Sequence, residues 1–294
     1  MRVRLWQTGL LLALVPALMV TRVCAQNPDM LDPDQSAAKA RQLLSQAVEA
    51  MGGTVYRNNE ESDCEGRMAK FDRSGQTGGY SFIRSYWRFP DKNRTEYVVK
   101  TTKGGMLAII WGNPPIKGGM FIQLFSGDKG WTMDKGGVAD ADATTVGEFQ
   151  QAMRRQVHNI LLESVERKDI YFRYGGLGIV DLKPVDWVEL TDQEDRKVKI
   201  ALEHMSHLPV RTVAQTPNEE MHQVDEEVAI YSNYRDQGGV QTPMQVSREK
   251  NGRRMYQLFY DSCKNDPGLP SDFFTRAALE KRFKETGGKT KEKN

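Results

Sequence analysis

The side chains able to do chemistry are few and scattered. The closest pair of histidines lies in His204-Met205-Ser206-His207, and such a pair could hold a metal if a turn folded both rings inward. It sits between alternating segments and directly before Leu208-Pro209, so a hairpin turn accounts for it. Asp225-Glu226-Glu227 has the charge for an ion site and the polarity of a solvated turn, and the turn is the expectation. Gly175-Gly176-Leu177-Gly178 lacks the third glycine and the following helix of a dinucleotide loop and reads as a glycine-rich hairpin. There is no Gly-x-Ser-x-Gly elbow, no Walker loop and no His-Glu-x-x-His. Asn93-Arg94-Thr95 spells a glycosylation sequon in a turn setting. The expectation is therefore no catalytic residue, no metal, no cofactor and no enzyme.

Redox chemistry is confined to three cysteines. Cys24 falls in an amino-terminal stretch with the layout of a secretory leader. Arg2 and Arg4 are the positive end, Leu10 to Val20 the apolar run, and Val23-Cys24-Ala25 the small-residue end before Gln26. The apolar run is well short of the ~20 residues that span a bilayer, so cleavage after residue 25 and export to the periplasm are expected. Lipid attachment at Cys24 would want a small residue just upstream, where Arg22 and Val23 stand, so soluble release is the reading. Cys64 and Cys263 then remain in an oxidising compartment. Bonded, they would close a loop of about 200 residues and contribute roughly 3–5 kcal/mol. Left apart, they are two buried thiols; both readings stand.

The whole chain carries 41 basic and 39 acidic side chains, and three of the basic ones, Arg2, Arg4 and Arg22, belong to the leader. The rest is balanced to within one charge, which gives no electrostatic footing for nucleic acid.

The elements that must position any site come from periodicity. Residues 26–33 are rich in Pro and Asp and read as a flexible entry. From Asp34, which can cap it, a helix follows: Ala37, Ala40, Leu43, Leu44, Ala47, Val48 and Met51 recur at three- and four-residue steps, and Gly52-Gly53 stops it. Beyond Gly53 most segments alternate and are separated by turn residues. Ile83, Trp87 and Phe89 share one face of a strand, with Tyr80, Phe82 and Tyr86 on the other. Val198, Ile200 and Leu202 oppose Lys197 and Lys199, the mark of a sheet with one wet face. A second helix, Glu148 to Arg167, interrupts the series with the stripe Phe149, Met153, Val157, Ile160, Leu161, Ser164 and Val165. Short connections imply antiparallel neighbours. About ten strands in meander order will curl, and two amphipathic helices can fill the hollow. The fold class is mainly β (α+β): a curved antiparallel sheet forming an unclosed half-barrel with helices on its concave face. It occupies residues 34–279, and the Lys- and Glu-rich stretch 280–294 reads as a disordered charged tail.

Two helices cannot fill such a hollow completely, so some of the sheet aromatics could line an apolar ligand cavity. Trp87, Phe89, Phe121, Trp131 and Trp187 are the candidates. The stretch 104–119 is apolar, nearly uncharged and bracketed by glycine pairs. It reads as a buried hairpin with a Pro-Pro turn, with a mobile flap over a cavity or a membrane-touching loop as alternatives.

Several segments in order carry a family resemblance: Trp87-Arg88-Phe89-Pro90-Asp91-Lys92-Asn93-Arg94; Gly127-Asp128-Lys129-Gly130-Trp131; Pro184-Val185-Asp186 with His207-Leu208-Pro209-Val210-Arg211; Tyr231-Ser232-Asn233-Tyr234-Arg235 with Gly239-Val240-Gln241-Thr242-Pro243; and Pro270-Ser271-Asp272-Phe273-Phe274. Over roughly residues 36–275 the chain resembles outer-membrane lipoprotein-sorting proteins of the LolA/LolB-like superfamily. The resemblance implies an unclosed barrel that shelters acyl chains. The partner would be a lipid or an acylated protein, with transient outer-membrane contact and a monomeric carrier or chaperone. A protein-interaction or envelope-stress sensor module on the same scaffold is the alternative, and an enzyme the third.

Overall fold

A computed structural model describes residues 31–98, 120–218 and 222–286. The leader, Cys24, most of the 26–33 entry, the stretch 104–119 and residues 287–294 lie outside them.

The amino-terminal helix α1 (Pro33–Met51) is capped two residues earlier than expected, by Asp32 and not Asp34, and Pro33 takes the first turn, where its missing N–H costs nothing. Gly52, at φ +132°, ends it; a short helix α2 (Thr54–Arg57) follows. Six strands come next: β1 (Glu61–Phe71), β2 (Thr77–Arg88), β3 (Lys92–Val98), β4 (Met120–Ser126), β5 (Lys129–Asp134) and β6 (Gly137–Asp140). Helix α3 (Ala143–Arg154), a π-helical turn (Asn159–Glu163) and the single turn α4 (Ser164–Glu166) interrupt the series. Seven more strands run β7 (Tyr171–Val180), β8 (Lys183–Thr191), β9 (Lys197–Glu203), β10 (Pro209–Asn218), β11 (Gln223–Asp236), β12 (Gln241–Lys250) and β13 (Arg253–Asn265), and helix α5 (Arg276–Glu285) closes the described chain.

These thirteen strands, against about ten expected, form one antiparallel sheet in the order β6-β5-β4-β3-β2-β1-β13-β12-β11-β10-β9-β8-β7. Two meanders meet at one seam, where β13 pairs with β1. The sheet is an unclosed half-barrel whose edges are β6 and β7. That order dictates the central helices: the chain leaves one edge at Asp140 and re-enters at the other at Tyr171, so residues 143–166 must cross the sheet. They cross on its inner face, the face shared by α1. Leu44, Ala40 and Ala47 of α1 and Ile160 of the crossing segment are fully buried against Phe172, Tyr174, Val188, Ile200 and Leu202.

Four sequence expectations need correction. The helix over Glu148–Arg167 is broken: Asp142 caps α3, which starts at Ala143 and ends at Arg154, and the π turn then re-aims Ile160 and Leu161 toward α1. Gly175-Gly176-Leu177-Gly178 is strand, not turn. The hairpin turns at Asp181-Leu182, both at positive φ, and the glycines make room for Trp187: a Cβ on Gly178 would lie 2.7 Å from its indole nitrogen. Asp225-Glu226-Glu227 lies in β11, where Glu227 pairs with Arg155 and Asp225 with Lys250. The disordered tail does not begin at residue 280, since α5 continues to Glu285 and buries Leu279 and Phe283 on Ile122, Leu124 and Met133.

Candidate functional site

Register assigns every side chain of the sheet to a face. Gly66 pairs with Ile83 and with Tyr260, Ile83 with Tyr97, and Tyr97 with Phe121. Met68, two residues from Gly66, stands on the same face. Met68, Ile83, Tyr97 and Phe121, all buried, form with Tyr256, Leu258 and Tyr260 one apolar wall. Along the same face Phe125 stacks on Phe149 of α3, centroids 4.4 Å apart, and Trp87 and Met153 complete that group.

Of the five predicted lining residues, Trp87, Phe89 and Phe121 belong to this inner side. Trp131 and Trp187 do not. Trp131 pairs with Leu124 and packs on the outer face beside α5. Trp187 pairs with Ala201 and lies outside with Val185 and Val210, opposite the face on which Val188 meets α1. The predicted turn Asn93-Arg94-Thr95 is strand; Asn93 is buried on the inner side and its amide donates to the Tyr86 carbonyl at 3.1 Å. Cys64 and Cys263 stand opposite each other across the β1–β13 seam, Cα atoms 4.1 Å apart, and are joined by a disulfide.

At one end of the inner side the β2–β3 turn meets the crossing segment. Phe89 follows the last residue of β2, and its N–H is tied to the Glu60 carbonyl at 2.9 Å. The Asn159 amide donates to the carbonyls of Pro90 (2.8 Å) and Met153 (2.9 Å), clamping the π turn onto the Phe89–Pro90 corner. Four rings then stand in a column: Trp87 on Phe89 (6.1 Å, nearly parallel), Phe89 on His158 (3.7 Å, 12° from parallel) and His158 edge-on to Tyr56 (5.4 Å). Burial pushes the His158 imidazole down to about 4, so it is neutral near pH 7 and behaves as a flat aromatic with one acceptor nitrogen.

Beside this column opens a cleft of about 610 Å³, within the 300–1,000 Å³ usual for small-molecule sites. Val48 of α1, Leu161, Leu162 and Val165 of the crossing segment, and Phe89 with Pro90 give it apolar walls; Arg57, Asn59, Glu60, His158, Glu163 and Glu166 give it polar ones. Sequence periodicity singled out Val48, Leu161 and Val165 as helix-stripe residues. Nothing in the sequence marked Asn59 or Tyr56, since each is a lone polar residue with no motif around it.

The histidine pair resolves differently. His204 Nδ1 meets the buried Asp186 carboxylate at 2.7 Å, and Tyr174 donates its hydroxyl to the other oxygen of that group at 3.0 Å. His207 stands in the turn at φ +57°, its Nδ1 buried without a partner among the described residues. Among the described residues no three His, Cys, Asp or Glu side chains converge as metal ligands, and no helix is long and apolar enough to cross a membrane.

No family model matches the sequence, and no curated protein matches it either. Solved structures do match in shape. A DUF1329 family protein from Desulfovibrio piger is 12% identical, with a TM-score of 0.54 over 85% of this chain and 100% of that one. An outer membrane lipoprotein-sorting protein domain from Vibrio parahaemolyticus is 10% identical, at 0.51 over 83% and 99%. A LolA superfamily protein from Nitrosomonas europaea is 13% identical, at 0.50 over 82% and 99%. At these identities the likeness is one of fold: the chain has the half-barrel of the LolA and lipoprotein-sorting structures.

Proposed function

We propose that this chain is an exported, periplasmic carrier that shelters acyl chains, alone or on a lipidated protein, against the inner side of its half-barrel. The observation that carries the reading is the cleft itself, about 610 Å³ and walled by Val48, Phe89, Pro90, Leu161, Leu162 and Val165, with the half-buried Trp87 stacked on Phe89 beside it. Burial of each methylene contributes about 0.8 kcal/mol, so one chain in such a place supplies useful affinity without any covalent step. The fold it shares with a lipoprotein-sorting domain and a LolA superfamily protein supports the same reading.

The test is native mass spectrometry of protein purified under mild conditions, with solvent extraction of anything retained. Co-purified lipid, or displacement of an apolar dye by added lipid, is the expected result. A lipid-free protein from which lipid displaces no dye would overturn it.

A second reading, docking of a polypeptide, rests on one feature. The edge strand β7 pairs, among the described strands, with β8 alone and turns Tyr171, Leu177 and Ile179 to solvent, with Leu182 exposed at the hairpin tip. An extended segment can add to such an edge. A stoichiometric polypeptide bound to a lipid-free protein, and lost in Ile179→Lys, would favour it.

A further inference from the structure

The inner side of the half-barrel gathers positive charge at one end. Register sets Lys70 of β1, Tyr256 of β13 and Arg248 of β12 side by side, one step beyond the inward row of Met68, Leu258 and Val246. Arg155, at the end of α3, reaches the same place and pairs with Glu227 of β11. Arg248 donates to the side-chain oxygen of Gln156 at 3.2 Å, two residues before His158. The next inward carboxylate, Asp225, is held by Lys250 at 3.2 Å. Two guanidiniums are thus left with one carboxylate, Glu227. The Arg155 side chain is only 11% exposed; burial outweighs the pull of Glu227 and, with Arg248 close by, holds that guanidinium below its ordinary pKa. A charge drawn out of water is costly unless it is paired. Half-buried Arg248 lies over the Tyr231 ring at 5.9 Å, and among the described residues no carboxylate stands within ion-pair distance of it. Its fork carries five donors, and none of its nitrogens is both enclosed and without a partner, so the unused donors can be reached from outside.

We propose that this end of the hollow binds the anionic oxygens of an amphiphile's head group, carboxylate or phosphate, on the guanidinium fork of Arg248, with Arg155 as the second positive charge and the half-buried Tyr256 beside them meeting the first methylenes of the chain. A planar fork matches two oxygens of such a head, and a bond between two charged groups is roughly twice as strong as a neutral one. An ammonium head would meet repulsion from both guanidiniums, and a hydroxyl head would leave their charge unanswered. This inference rests on the acyl-carrier reading and adds to it the head group and the place that holds it.

The experiment separates the two. The full chain, loaded with an apolar dye, is titrated at pH 7 with dodecanoate, dodecyl phosphate and dodecanol, each below its micelle-forming concentration. Arg248→Gln, checked for native circular dichroism, should weaken displacement by the anionic chains about tenfold and leave dodecanol within about twofold of wild type; the larger loss names the preferred oxyanion. Arg248→Lys, which keeps the charge and loses the fork, should recover part of that loss. Glu227→Gln, which removes the carboxylate the two guanidiniums share, should tighten dodecanoate about threefold, a gain that damage to the fold would not produce. Arg67→Gln, on the outer face, should change nothing. Equal loss of dodecanol and dodecanoate in Arg248→Gln, unchanged displacement by both anionic chains in that variant, or weaker dodecanoate binding in Glu227→Gln would overturn the head-group assignment while the carrier reading stood. Failure of every chain to displace dye from the wild type would sink the carrier reading and this inference with it.

Discussion

The imidazole of His158 lies flat on the ring of Phe89, centroids 3.7 Å apart and 12° from parallel. That contact ties the segment crossing the hollow to the turn that ends β2, and it buries the imidazole, which disfavours its charged form. His158 is 9% exposed and burial lowers its pKa from 6.5 to about 4. The unfolded chain therefore binds a proton near pH 6.5 that the folded chain resists until about pH 4. Stability rises with pH across that window, and the contribution is complete above pH 6.5 and lost as pH falls toward 4, on the order of 3 kcal/mol in all. Urea unfolding at pH 7 and pH 4.5 should show His158→Phe, which keeps a stacked ring, losing about 2 kcal/mol less than wild type on acidification. Identical pH profiles would refute the account.

Two glycines should respond to alanine in opposite directions. Gly66 sits at the bulge in the β1–β13 seam, and a Cβ there would lie 2.1 Å from the Phe259 carbonyl oxygen and 2.7 Å from the Tyr260 Cα. Those atoms are backbone in a central strand and cannot step aside, so Gly66→Ala should cost roughly 3 kcal/mol or more or prevent folding. Gly147 lies within α3 with nothing near its missing Cβ, and Gly147→Ala should stabilise by about 0.5–1 kcal/mol. Paired melting curves decide the matter; a tolerated alanine at 66 would mean the seam is looser than its register implies.

The same seam carries the Cys64–Cys263 disulfide, whose cysteines are 199 residues apart in sequence. Because, among the described strands, the two meanders join where β1 meets β13, this cross-link fixes a strand pairing between segments about 200 residues apart. Replacing both cysteines by alanine should lower stability by roughly 3–5 kcal/mol, measured by urea unfolding of oxidised wild type against the double variant. A loss under 1 kcal/mol would mean that strand pairing alone closes the seam.

Alternation located the strands because a period of two survives in any half-buried sheet. It put Ile83, Trp87 and Phe89 on one face, and the α1 stripe identified Leu44 and Val48 as core. What alternation cannot say is which face is inner. Around β4 both faces are apolar: Phe121 and Phe125 turn inward while Ile122 and Leu124 turn outward beneath α5. Sequence alone therefore had no means to separate Phe121 from Trp131. Composition hid α5, whose two buried residues, Leu279 and Phe283, stand among Lys, Arg and Glu. The cleft was least legible of all. Asn59, His158 and Phe89 come from three distant segments, and only the clamp of Asn159 on Pro90 and Met153 brings their neighbourhoods together.

That ambiguity of faces yields the sharpest test of the proposed carrier. Trp87 and Phe89 lie half-buried on the inner side, the second on the cleft wall, whereas Trp131 and Trp187 pack on the outer one, the first beside α5 and the second over Gly178 and Val185. All four are aromatic residues packed in or beside the sheet, so truncation of any should cost a few kcal/mol of stability. Loss of stability is thus no guide to function. Binding is, because only inner residues can touch a guest in the hollow. Trp87→Leu and Phe89→Leu, which keep apolar character while changing shape, should weaken displacement of an apolar dye by dodecanoate or dodecylamine about three- to tenfold. Trp131→Leu and Trp187→Leu should leave displacement within twofold of wild type. If the outer pair alters binding as much as the inner pair, the guest does not occupy the inner side, and the site must be sought on the exposed face or along the β7 edge.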